Sequence, residues 1–378
     1  MSKSSDMVLT ASALLALSTL IALYLPPLLS PLPLSAFPTD SHNLLHLSEN
    51  ISLPSAFGPE SLAFDPSGVG PYTGVADGRI LKWDSASSSW VPFAFTSSSR
   101  KECTRPFAPE LEHLCGRPLG LRFEQKSGDL YIADAYLGLH RVGSEGGLAS
   151  LVVDEAEGEP LYFTNDMDID EEEDIIYFTD SSTKLRRRHF MHSILSGDTT
   201  GRFIKYNKST KQTTVLVRDL AFANGVALSQ DRSFVLVAET RACRILRLWL
   251  KGPNAGRLDT FIELPGYPDN VRRNQNGEFW VAIHAKKTVL ADWMLRNIWF
   301  RNALIKVPPS VVQKLHALFV GGHHAIAVKL SERGQVIKVL EDAQGKKVRY
   351  ASEVDERNGK LWIGSVMMPS IWVYNVDQ

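Results

Sequence analysis

A sixfold internal repeat constrains this chain more than any other feature. Each unit opens on a short residue pair, continues as an apolar-x-apolar run, turns at Gly, Asp or Asn, and enters a second β-rich run. Glu60-Ser-Leu-Ala-Phe leads to Gly78-Arg-Ile-Leu-Lys-Trp, Leu119-Gly-Leu-Arg-Phe to Gly128-Asp-Leu-Tyr-Ile-Ala, and Asn165-Asp-Met-Asp-Ile to Asp174-Ile-Ile-Tyr-Phe-Thr. Asn224-Gly-Val-Ala-Leu leads to Ser233-Phe-Val-Leu-Val-Ala, Asp269-Asn-Val-Arg-Arg to Gly277-Glu-Phe-Trp-Val-Ala, and Ser352-Glu-Val-Asp-Glu to Gly359-Lys-Leu-Trp-Ile-Gly. Further alternating strands follow several units, such as Arg244-Ile-Leu-Arg-Leu-Trp.

Short alternating strands at blade-sized intervals predict an all-β fold, a six-bladed β-propeller over residues 55–378. Each blade then buries both faces on its neighbours, so one closed domain accommodates a chain of 378 residues. A string of β-sandwiches fits less well, because the units are short and no linkers separate them. The interval from Asp269 to Ser352 is the longest and contains Val289–Ile305, with apolar residues at helical spacing and cations between them. A helical insertion at about 287–320, before the last blade, is expected there. It reads either as a lid or membrane-contacting element or as a helix packed on a blade edge. Lys+Arg is 41 against Asp+Glu 42, a balance that argues against a nucleic-acid partner. Three cysteines are too few for a disulfide-built scaffold.

Val8–Leu25 carries no charge and is stopped by Pro26 and Pro27. Residues 1–36 are therefore read as a signal anchor or signal peptide, followed by a linker over 37–54. Ala36 and Ser35 lack a small residue two positions earlier, which favours the uncleaved anchor. Sequons at Asn50 and Asn207 agree with passage through the secretory pathway. Cys103 and Cys115 flank a Pro- and charge-rich loop and suit a local disulfide, whereas Cys243 sits in a strand-like run as a buried free thiol. The expected location is the endoplasmic reticulum membrane, the vacuole or the cell exterior, with the body lumenal and the membrane met through the N-terminal segment.

Aligning the repeats brings Glu60, Leu119, Asn165, Asn224, Asp269 and Ser352 to equivalent positions at one end of the inner strands. Two carboxylates and two amides, with Asn270 adjacent, are the oxygen donors that Ca2+ takes. The absence of His and Cys argues against zinc. Asn, Asp and Glu also start strands after turns for purely local reasons, but four at equivalent positions favour a cation. Other features carry less. The acidic run Asp166–Asp174 lacks EF-hand spacing and reads as a solvated turn. The run from Lys184 to His189 is either a solvated loop or an anion-recognition element. His323 and His324 fall in a loop before a strand, and His284 either reaches the channel or is a satisfied core histidine.

Cys115-Gly-Arg-Pro-Leu-Gly-Leu, Tyr131-Ile-Ala-Asp-Ala-Tyr-Leu-Gly-Leu, Tyr177-Phe-Thr-Asp-Ser-Ser, Phe222-Ala-Asn-Gly-Val-Ala-Leu-Ser and Gly266-Tyr-Pro-Asp-Asn-Val together resemble the strictosidine synthase-like family. The likeness covers about residues 55–378 and is to the branch with adipocyte plasma-membrane-associated and similar plant proteins. It implies a propeller related to paraoxonases, gluconolactonases and other Ca2+-dependent esterases, with Cys103–Cys115 as the family disulfide. Glu60, Asn165, Asn224, Asp269 and Asn270 match metal-site positions of the paraoxonase-like enzymes. The position of the synthases' catalytic glutamate holds Ser352, which cannot act as a carboxylate acid–base. Glu353 beside it is expected on the opposite face by strand alternation. The paraoxonase histidine proposed as base matches Leu119, and its partner falls near Asp134. Asp134 and Asp180, both following inward-pointing strands, are the candidate bases. The resemblance implies a Ca2+-assisted hydrolase acting on a small-molecule ester or lactone. The alternatives are a non-catalytic, metal-stabilised binding propeller and a lyase-type condensation enzyme.

Overall fold

Short strands with apolar residues on both faces need cover on both sides, and closing the blades into a ring supplies it. The computed structural model describes residues 27–28, 30–32, 37–308, 311–312 and 324–376. Six antiparallel blades surround a central channel. Their inner strands are Leu62–Ala63, Pro118–Phe123, Thr164–Asp170, Ala223–Leu228, Gly266–Arg273 and Ala351–Arg357. The apolar core lies between blades. Tyr131, Ala133 and Leu139 of blade 2 meet Ile176, Phe178 and Ile204 of blade 3, and Trp280 of blade 5 meets Trp372 of blade 6.

The sixth blade is completed from the other end of the chain. Glu49–Ser52 pairs antiparallel with its third strand, Glu49 opposite Val373 and Ser52 opposite Ser370. Residues 37–54 are thus not a linker throughout. Asp40 accepts the N–H groups of Leu44 at 2.7 Å and Glu341 at 3.0 Å, and Leu45 is fully buried against blades 5 and 6. Pairing an otherwise open edge is the physical reason for this correction.

Near the axis the inner strands approach so closely that some positions exclude a side chain. A Cβ on Gly225 would stand 2.5 Å from the Val271 nitrogen, and one on Gly120 would stand 2.7 Å from Asp166 Cα. The pairing of first and second strands also slips at equivalent places: between Pro118 and Leu121, Thr164 and Met167, Ala223 and Val226, Pro268 and Val271, and Ala351 and Glu353. These bulges break strict alternation, so consecutive residues turn toward the channel.

Short α-helices interrupt the ring, among them α1 (Glu112–Cys115), α2 (Phe190–Ser196), α3 (Val289–Arg296) and α4 (Ile298–Leu304). The insertion expected before the last blade lies inside blade 5, between the strands Phe279–Lys286 and Ala325–Leu330. Thr288 caps α3 by accepting the Ala291 N–H at 3.0 Å, and Asn297 caps α4 through Phe300 at 3.1 Å. Helix α2 occupies the corresponding place in blade 3, and its Met191 and Leu195 pack on Ala291 and Met294 of α3. Cys103 and Cys115 form a disulfide, and Cys243 is a buried free thiol. The apolar run Val8–Leu25 and His323 lie outside the described residues. Among the described residues no helix is long and apolar enough to cross a membrane.

Candidate metal centre and cavity

The bulged ends of the inner strands bring together the five oxygen-bearing residues read from the sequence. All are buried: Glu60, Asn165, Asn224, Asp269 and Asn270. A relay between blades fixes the amides. Asn165 Nδ2 donates to Ser181 Oγ at 2.8 Å, and that hydroxyl donates to the Ala223 carbonyl at 2.6 Å. One blade on, Asn224 Nδ2 donates to Thr240 Oγ1 at 3.1 Å, which donates to the Pro268 carbonyl at 2.7 Å. Asn270 Nδ2 donates to Glu60 Oε1 at 2.9 Å. Each amide nitrogen is therefore spent, whereas Glu60 Oε2 and the Oδ1 atoms of Asn165, Asn224 and Asn270 are buried without a hydrogen-bond partner. Unpaired buried acceptors are costly, and four at one end of one channel are a donor set that fits a hard cation.

The electrostatics agree. Burial, then the neighbouring Asp269, Asp166 and Glu353 charges, hold Glu60 well above the ordinary glutamate range. Burial pushes Asp269 up to about 7, against the pull of Asn224 and Arg272. Among the described residues no three His, Cys, Asp or Glu side chains gather as a metal site. The donor set here is instead two carboxylates completed by amides. Deeper in the channel, Arg272 is held by Asp166 at 2.6 and 2.9 Å and by Glu353. Burial opposes its charge, yet those two carboxylates raise it above the ordinary arginine range.

Glu60, Asn165, Asn224 and Asp269 form the floor of a cavity of about 910 Å3, including its open mouth. Its walls are apolar, with Phe163 and Phe222 near the floor, Phe190 and Ile194 from α2, and Met294 and Leu295 from α3. His284 is on the wall, with Nδ1 3.9 Å from Asp269 Oδ2 and its ring stacked on Tyr350 at 5.1 Å. Leu119 lines the same cavity, where the resemblance would place a histidine.

The other sequence-predicted positions fall elsewhere. Asp134 accepts from Thr96 Oγ1 at 2.6 Å and from the N–H groups of Arg117, Tyr136 and Leu137. Asp180 accepts the Phe163 N–H at 2.6 Å and pairs with Arg202 at 2.6 Å. Neither lines the cavity. Glu239 does the same for Ala221 in blade 4, so in blades 2, 3 and 4 this repeated acid clasps the loop entering the inner strand and is not aimed at a substrate. Ser352 is spent on the Glu60 carbonyl at 2.7 Å. Glu353 is not turned away as alternation predicted: the bulge at Ser352 directs it into the channel, where it accepts the Leu62 N–H at 2.7 Å. Asp166, read as part of a solvated run, is fully buried on Arg272. In the basic run, Arg187 is buried and pairs with Glu112 at 2.6 Å, so it is not simply a solvated loop residue. Sequence reasoning missed α2, whose apolar Phe190, Met191, Ile194 and Leu195 carry the helical spacing that would have revealed it. Asn50 is exposed on the outer strand of blade 6, and Asn207 is half-buried with Oδ1 accepting the Thr210 N–H at 2.9 Å.

Comparison with known proteins places this geometry in a lineage. Family models for strictosidine synthase and for the strictosidine synthase-like N-terminal region match residues 165–253 and 43–83. Protein strictosidine synthase-like 10 of Arabidopsis thaliana is 61% identical over 337 residues, 89% of this chain and 90% of that protein. The adipocyte plasma membrane-associated protein of Danio rerio is 38% identical, covering 82% of this chain and 74% of that one. Among solved structures, a Xanthomonas campestris gluconolactonase matches with TM-score 0.56 at 14% identity, over 92% of this chain and 97% of its own. The calcium-binding protein regucalcin of Agrobacterium tumefaciens matches with TM-score 0.56 at 13% identity, over 86% and 93%. These structural neighbours share the fold, and the closer sequence relatives decide the family: the chain is a plant-type member of the strictosidine synthase-like family.

Proposed function

We propose that this protein is a secretory-pathway, Ca2+-dependent hydrolase of small apolar esters or lactones. The observation that carries the reading is the set of partnerless buried oxygens on Glu60, Asn165 and Asn224 at the floor of an apolar cavity, with that of Asn270, hydrogen-bonded to Glu60, beside them. With Asp269 they would hold the ion. Bound there, Ca2+ supplies a Lewis acid that polarises a carbonyl oxygen and stabilises the charge developing on it.

The chain's own residues do the rest. Phe163, Phe222, Ile194 and Met294 exclude water and hold the apolar part of the substrate. His284, on the wall beside Asp269, is the imidazole able to take the proton from an attacking water. It replaces Asp134 and Asp180, whose carboxylates are consumed by backbone and arginine. Condensation chemistry of the synthase kind is disfavoured, because Ser352 stands at the glutamate position and its hydroxyl is spent on a carbonyl.

The test measures Ca2+ affinity by calorimetry and turnover of aryl esters and lactones, for the native protein and for Asn224→Ala, Asp269→Asn and His284→Ala. The reading expects turnover that chelation abolishes. Asn224→Ala and Asp269→Asn should weaken both Ca2+ binding and rate, and His284→Ala the rate alone. A protein that binds Ca2+ tightly yet turns over no ester or lactone would instead be a metal-stabilised binding propeller.

A further inference from the structure

Helices α3 and α4 have two unlike faces. Ala291, Met294 and Leu295 look into the cavity, while Trp293, Ile298 and Trp299 are 49%, 56% and 84% exposed. Ile305 and Val311 extend the exposed apolar set along the insertion. Elsewhere among the described residues, large exposed apolar side chains are scattered. Isolated ones are ordinary, but a cluster with two indoles beside a cavity mouth asks for a partner.

Charge identifies that partner. Arg296 is 77% exposed, Lys306 is exposed, and Arg301 lies between them in sequence. The one acid of these helices, Asp292, is already paired with Lys287 at 2.7 Å and Arg296 at 2.8 Å. Indoles interleaved with cations are the composition that settles at the headgroup level of an anionic bilayer. The course of the chain agrees. Four residues beyond the uncharged run Val8–Leu25, Ser30–Leu32 pairs with the root of α3: the Leu32 N–H donates to the Lys287 carbonyl at 2.7 Å, and the Val289 N–H to the Ser30 carbonyl at 3.1 Å. Ser30–Leu32 is therefore seated at the root of the helix that carries Trp293.

We propose that α3 and α4 form a docking surface for an anionic lipid bilayer and turn the cavity mouth toward the membrane. On the hydrolase reading, on which this last step alone rests, the substrates are esters or lactones whose apolar tails partition into the bilayer.

Tryptophan fluorescence tests the docking directly, because residues 1–26 contain no tryptophan and the other six lie in the blades. The full chain is reconstituted into phosphatidylcholine vesicles with and without phosphatidylserine, using lipids brominated in the acyl chain as quenchers. Quenching of the native protein is expected to be strongest with phosphatidylserine, to disappear in W293S/W299S, and to weaken in R296E/K306E. Both tryptophans are exposed enough for the serine variant to fold, and melting temperatures check this. Equal quenching of native and W293S/W299S protein would overturn the proposal. So would quenching indifferent to phosphatidylserine, or a detergent-solubilised dimer that W293S/W299S converts to monomer, which would make the face a self-interface. Ester turnover is read separately, so docking can fail while the hydrolase stands, and the reverse.

Discussion

Replacing Asp269 with asparagine should stabilise the cation-free protein while removing its response to Ca2+. Burial raises the folded-state pKa of Asp269 to about 7, so as pH rises the unfolded chain loses this proton first. The cation-free protein therefore loses stability between about pH 4 and about pH 7 and stays at the lower level above that. Each pH unit in the window costs about 1.4 kcal/mol, so roughly 4 kcal/mol is an upper bound from this one group. At about 2.1 cal/mol/K of unfolding entropy per residue, a ring of this size shifts its Tm by about 1.5 °C per kcal/mol, or roughly 6 °C. Asparagine keeps the shape and one oxygen but cannot ionise, so that loss vanishes. Scanning fluorimetry at pH 5 and pH 8, in chelator and in Ca2+, reads each part. At pH 8 in chelator the variant should melt several degrees above the native protein, and the two should converge toward pH 5. Ca2+ at a hundred times Kd adds about 2.7 kcal/mol, near 4 °C, to the native protein and much less to the variant. The Asp269 charge is one of the causes that hold Glu60 up, so the substitution also relieves Glu60 and acts in the same direction. The reasoning fails if Asp269→Asn lowers the cation-free Tm at pH 8, or if both proteins respond equally to Ca2+.

Removing the carboxylate in Asp180→Ala takes from buried Arg202 its one buried counter-charge and leaves it the exposed Glu159 and the Pro160 carbonyl, at a cost of up to about 3–5 kcal/mol. Its Tm should fall, while kcat per folded molecule stays native, as a clasp and not a base requires. Gly225→Ala forces a Cβ against the Val271 nitrogen and should cost roughly 1–3 kcal/mol by denaturant titration. Opening the short loop with Cys115→Ser should cost about 3 kcal/mol. Burial pushes the Cys243 thiol up to about 12, so Ellman's reagent at pH 8 should find no thiol in the native chain and one in guanidinium.

Much of the ring was legible because it is written locally: alternation, a turn residue, alternation again, six times over. What escaped depends on partners distant in sequence. Glu49–Ser52 is too short to read as a strand until its pairing with Ser370–Val373 is seen. The bulges are likewise invisible, since a bulge exists only relative to the opposite strand. That is why Glu353 was expected to face away from the channel and Asp166 to face solvent. Asp134 and Asp180 follow inward-pointing strands, but that placement does not say what a side chain touches. Both close hydrogen bonds to the loop behind them. The oxygen set at the floor was legible because its residue types suit one chemistry.

The channel then explains how a chain of formal net charge −1 can concentrate negative charge on its axis. Four carboxylates, Glu60, Asp166, Asp269 and Glu353, are buried there, and Arg272 is engaged by the deeper two. The guanidinium acts as a resident cation that settles the lower half of the channel. Among the described residues it leaves the upper pair, Glu60 and Asp269, with no lysine or arginine ion-paired to them. Asn270 joins the halves, donating to Glu60 at 2.9 Å and to Glu353 at 3.3 Å while its own carbonyl oxygen stays unpaired. A divalent ion at the floor would balance the upper pair without disturbing the lower one. The same ion would satisfy the orphaned amide oxygens together, whereas a protonated carboxyl donates a single hydrogen bond and reaches one of them at most. Protonation answers the charge and one acceptor, whereas a cation answers the charge and several acceptors at once, and that difference favours a bound ion over a merely neutralised acid pair.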